Sequence, residues 1–161
     1  MFKRLNTFAI GGLENIGYID NNDTLIVLSG QGRGVFDCLT GQKIYRDDEN
    51  WWQDFDEATS TIHVNIVNIS SGIKTSGLFG ERKLPSRTVD GWELSLSDPY
   101  PDDPPFEKYN VQSVFLKHGV QDKEIFVAKD GPCEVRAFGF SDTGNTFVVA
   151  LSCELIIWKR E

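Results

Sequence analysis

Two histidines and three cysteines are all that this 161-residue chain offers toward soft-metal ligation or thiol chemistry. His63 and His118 stand far apart with no third ligand at zinc spacing, and neither HExxH nor CxxC occurs. Cys38, Cys133 and Cys153 are odd in number and lie in or beside strand-like runs, so reduced, buried thiols are expected rather than a disulfide framework. No apolar run approaches the ~18 residues of a membrane-spanning helix. The apolar stretch of MFKRLNTFAIGG is interrupted by Asn6 and Thr7, which argues against a signal peptide and for a cytoplasmic protein. Basic residues are also short: 16 Lys and Arg face 24 Asp and Glu, for a net charge of −8. That balance excludes general binding to nucleic acid or to anionic membranes, and it suits a basic protein partner.

Catalytic signatures are missing too. No serine lies in GxSxG, and no Cys–His arrangement stands out. GQGRG, residues 30–34, joins two strand-like runs instead of leading into a helix, so it is a hairpin turn and not a phosphate loop. Asp54-x-Asp56 lacks the Gly and the terminal Glu of a calcium loop. No catalytic residue, metal or cofactor is expected.

With one Met and no long Leu/Glu/Lys run, the chain favours strands. Short β-branched and aromatic runs alternate with Gly, Asp, Asn, Ser and Thr. A motif occurs twice. Residues 17–37, GYIDNNDTLIVLSGQGRGVFD, align without a gap onto residues 139–159, GFSDTGNTFVVALSCELIIWK. Val27 falls on Val149, and Phe36 on Trp158. Each copy gives strand, polar turn, apolar strand, short turn and aromatic-ended strand. The two copies are expected in equivalent places, with both of these pairs buried alike. The fold expected is all-β, one domain over residues 1–161, of short antiparallel strands arranged as propeller-like small sheets or a compact sandwich. Phe8–Ile10 form a first short strand and residues 61–69 one alternating strand in this reading, residues 70–91 are mainly loop, and the four prolines of residues 98–105 exclude regular structure there.

At VFDCLTGQ, residues 35–42, the sequence resembles the end of a WD repeat. Phe36-Asp37 takes the place of the aromatic-Asp pair that ends the third strand, and Thr40-Gly41 that of the turn into the outermost strand. Val67-Asn68 with Ser71-Gly72 is a second match. The third is the C-terminal copy, where Trp158 stands at the terminal Trp position. No Gly-His dipeptide precedes any unit, and the chain is about half the length of a seven-bladed propeller. The resemblance implies a rigid, non-catalytic scaffold for binding other proteins.

The candidate binding surface is residues 47–57, DDENWWQDFDE, with six carboxylates, three aromatics and no Lys or Arg. Asp47, Asp48, Glu49, Trp51, Trp52, Asp54, Phe55 and Asp56 would combine aromatic anchors with acids that steer a basic partner. Tyr100, Asp102 and Asp103 extend it as an acidic rim. The function expected is a small acidic inhibitor or immunity-type protein. A carbohydrate-binding module using Trp51 and Trp52, and a hydrolase with carboxylates in a cleft, are the alternatives.

Overall fold

The structure is a computed structural model describing residues 1–97, 112–119, 124–129 and 135–161. Tyr100, Asp102, Asp103, Cys133 and the Pro-rich segment lie outside the described residues. The described residues are nearly all-β and form four small antiparallel sheets, none of them a barrel.

The terminal sheet joins both ends of the chain. Strand β1 (Phe2–Ala9) is its outer strand, followed inward by β15 (Glu154–Arg160), β14 (Thr146–Ala150) and β13 (Ala137–Phe140). The second sheet runs β5 (Gln42–Asp47), β4 (Gly32–Asp37), β3 (Thr24–Ser29) and β2 (Leu13–Tyr18), with the two-residue β9 (Ser76–Gly77) at its inner edge. The third contains β6 (Phe55–Asp56), β7 (Thr61–Ile66) and β8 (Ile69–Lys74). The fourth contains β10 (Trp92–Ser97), β11 (Ser113–His118) and β12 (Ile125–Lys129).

The internal repeat survives down to register. Gly17 pairs with Ile26 as Gly139 pairs with Val148, and Leu25 pairs with Phe36 as Phe147 pairs with Trp158. A bulge interrupts β4–β5 between Val35 and Phe36, and the β15–β1 pair breaks at the matching place, with Ile44 and Leu5 as the extra residues. Because successive strand residues face opposite ways, the second and terminal sheets each bury two faces. Tyr18, Leu25, Val27 and Phe36 turn from the second sheet toward the terminal sheet, which answers with Val148, Ala150, Leu155 and Ile157. The terminal sheet's equivalents, Phe140, Phe147, Val149 and Trp158, face the fourth sheet. On its other face the second sheet packs Ile26, Leu28 and Val35 against Ile62, Val64, Ile66 and Ile73 of the third. The sheets therefore pack in the order third, second, terminal, fourth. Among the described residues no core cluster joins the third sheet to the fourth.

Val27 and Val149 are both buried, as expected, but Trp158 is only half-buried where Phe36 is fully buried. Phe8 covers Phe36 edge-on at 4.9 Å. Trp158 instead stacks on Phe147, at 5.5 Å and 10°.

Three other expectations change. Residues 61–69 are not one strand: Val67 and Asn68, with φ of 47° and 64°, form the two-residue turn of the β7–β8 hairpin, so they do not end a third strand, and Ser71-Gly72 lies inside β8. The first strand spans Phe2–Ala9, longer than residues 8–10, because backbone pairing with β15 rather than burial holds it. The Gly/Ser-rich stretch after residue 69 supplies both β8 and β9.

The two copies also meet directly. Asp23, in the β2–β3 turn, is 5% exposed and accepts hydrogen bonds from Ser141 Oγ (2.7 Å), Thr143 Oγ1 (2.8 Å) and Thr146 Oγ1 (2.7 Å). Thr146 thereby spends its proton, so Tyr18 Oη donates to it, at 3.2 Å. Burial, first of all, pushes the Tyr18 phenol well above its usual range, so it holds that proton. In return, the backbone N–H of Asn21 donates to Asp142 at 3.0 Å.

Candidate functional site

Residues 47–57 leave the outer strand of the second sheet and cross to the third. Their first carboxylate is spent on the fold. Asp47 lies opposite Arg33 in the β4–β5 register, and their side chains pair at 2.6 Å, only 14% and 11% exposed. Tyr45 Oη donates to the same carboxylate at 2.8 Å. Burial opposes ionisation of Asp47, but Arg33, Tyr45 and the Glu49 N–H outweigh it and hold the carboxyl below its usual range. Asp47 therefore anchors the segment to β4.

The next residues form a 3₁₀ turn over Trp51–Asp54, capped by Asn50, whose side chain accepts from the Trp52 N–H at 3.1 Å. Trp51 points inward, 5% exposed, and its indole N–H donates to Ser29 O at 3.0 Å. That bond pins the turn to the end of β3. Trp52 is thrown outward and stands 46% exposed. It stacks on half-buried Phe55 (5.6 Å, 27°) and meets Phe79 at 4.5 Å. Asp48, Glu49, Asp54, Asp56 and Glu57 are exposed, and none forms an ion pair among the described residues.

Two residues that sequence reasoning missed complete the site. Glu14 is the extra residue of a bulge in the β2–β3 pair, between Leu13 and Asn15, and bulges re-aim side chains. Phe79 is held from behind by the buried Asn15: its N–H donates to Asn15 Oδ1 (3.0 Å) and its carbonyl accepts from Nδ2 (2.8 Å). A polar Asn within the apolar β2 run was the one sequence signal for this contact. Together Glu14, Asp48, Glu49, Trp51, Trp52 and Phe79 line a pocket of about 270 Å³. Burial raises the Glu14 carboxyl above its usual range, and Arg136 opposes this. One wall depends on Gly32, with φ of 120°, where a Cβ would collide with the Asp47 carbonyl and the Asp48 Cα.

Carboxylates around exposed indole and phenyl faces can hold a cation by charge and by the ring quadrupoles together. The arrangement does not make a flat sugar platform, because Trp51 is buried and the two indoles are inclined at 56°. Among the described residues no group of three or more His, Cys, Asp or Glu could hold a metal ion, and no helix is long and apolar enough to cross a membrane. No protein-family model, curated protein or solved structure matches this chain.

Proposed function

We propose that this protein is a non-enzymatic binding module that recognises a basic protein partner, as an acidic inhibitor or immunity-type protein would. A Lys or Arg side chain of the partner is seated in the pocket between Glu14, Asp48 and Glu49 and the faces of Trp52 and Phe79. The observation that carries this reading is that exposed Trp52 stands beside carboxylates without cationic partners. The stacked sheets supply the rigid frame, in keeping with the resemblance to WD repeats. The free thiols of Cys38 and Cys153 suit a cytoplasmic setting.

A labelled, N-acetylated tri-arginine amide should bind saturably by fluorescence anisotropy. Its affinity should fall as salt is raised from about 20 to about 300 mM, because screening shortens the Debye length. Binding of the tri-glutamate peptide equal to that of tri-arginine, or unchanged affinity in the triple variant Glu14→Gln/Asp48→Asn/Glu49→Gln, would overturn the reading. One observation favours a hydrolase instead: burial raises the carboxyl of Glu14 in a pocket that Asp48 and Glu49 also line. Under that reading Glu14→Gln abolishes turnover of a substrate, whereas under the binding reading it lowers affinity only in part.

A further inference from the structure

The two copies of the internal repeat differ at one pair of positions beside a cleft. In the terminal sheet Val149 pairs with Ile156, and the Ile156 side chain fills the core shared with the fourth sheet. The matching pair in the second sheet is Val27 with Gly34. The Phe36 ring leans over Gly34, 3.0 Å from where a Cβ would stand, and beside it a cleft of about 310 Å³ lies where the second and terminal sheets meet. The edges of Val27 and Phe36 close its floor, and Ala9 and Ile10, at the end of β1, form one wall.

The opposite wall is β5. Lys43 lies opposite Phe36 and Arg46 opposite Gly34, so both point to the cleft side of the strand. Both are exposed, and neither forms an ion pair among the described residues. Arg33, by contrast, has its guanidinium committed to Asp47. Two cations without ion-pair partners among the described residues are notable in a chain of net charge −8.

We propose that this cleft binds a small organic monoanion, a carboxylate carried on a compact apolar body. The carboxylate is taken between the Lys43 ammonium and the Arg46 guanidinium, whose planar fork matches it. The apolar body lies against Ile10 and Ala9. The volume sits at the small end of ligand pockets, roughly 300–1,000 Å³, which suits an aryl or short alkyl acid rather than a nucleotide.

The probes are sodium phenylacetate and its neutral isostere phenylacetamide, titrated into the full chain and followed by heteronuclear NMR. Phenylacetate should saturate, shifting the amides of Gly34, Lys43 and Arg46, and should bind at least about tenfold tighter than phenylacetamide. Gly34→Val, whose side chain would press on the Phe36 ring at the edge of the cleft, should weaken both titrations. Lys43→Ala/Arg46→Ala changes only exposed side chains and keeps the test valid if the glycine variant fails to fold. It should weaken phenylacetate about tenfold or more and leave phenylacetamide unchanged. Equal affinities for the two probes, shifts confined to other residues, or the absence of saturation would overturn the proposal.

Discussion

Replacing Asp23 with Ala is expected to cost about 3–4 kcal/mol of folding stability, because it strips one buried acceptor from three hydroxyl donors at once. Ser141, Thr143 and Thr146 all donate to that carboxylate, and Ser141 and Thr146 are buried. Tyr18, Thr146 and Asp23 form one chain of bonds, so the loss also loosens the contact between the β2–β3 turn of one copy and the β13–β14 turn of the other. Asp23→Asn keeps one acceptor oxygen and should fall between wild type and Asp23→Ala. Urea unfolding of the three proteins checks this. A change under about 1 kcal/mol for Asp23→Ala would show that the turns are held together by apolar packing alone.

Changing Trp52 to Ala should weaken binding of the tri-arginine probe by about 2 kcal/mol or more, roughly thirtyfold, with little change in the unfolding midpoint. Trp52 is half exposed and rests on Phe55 and Phe79, so its removal leaves no buried cavity, whereas its neighbour Trp51 is core. Trp51→Ala provides the contrast: it should destabilise the fold by about 3–5 kcal/mol, the usual cost of truncating a buried Trp. Equal affinity of wild type and Trp52→Ala for the probe would place the binding surface elsewhere on the molecule.

The all-β class and the equivalence of the two copies were legible because strand alternation and turn residues are local signals, and both copies carry them in the same order. The Asp23 knot was not legible. Its donors come from a turn more than a hundred residues away, and nothing local distinguishes Asp23 from the surrounding turn residues Asp20, Asn21 and Asn22. The hairpin at Val67-Asn68 was missed because a β-branched residue at positive φ is disfavoured, so the run was taken through it as one strand. At the site, the segment of residues 47–57 gave up Asp48, Glu49 and Trp52 to sequence reading, since charge and aromatics crowd there. It also suggested Asp47 and Trp51, which the fold uses for itself. The pairing of Asp47 with Arg33 depends on hairpin register, and the burial of Trp51 on its reach to Ser29. Glu14 and Phe79 join the pocket through a bulge and through a buried Asn, neither of which shows in composition or periodicity.

The most direct measurement is a heteronuclear NMR titration of the labelled protein with N-acetyl-arginine amide, following the four tryptophan indole N–H signals. The Trp52 indole is expected to shift saturably together with the backbone amides of Asp48, Glu49 and Phe79, while the Trp51 indole, bonded to Ser29, moves least. Shifts centred on Trp92 or Trp158, or a titration in which the Trp52 indole does not move, would contradict the assignment of a cation-binding pocket to this end of the second sheet.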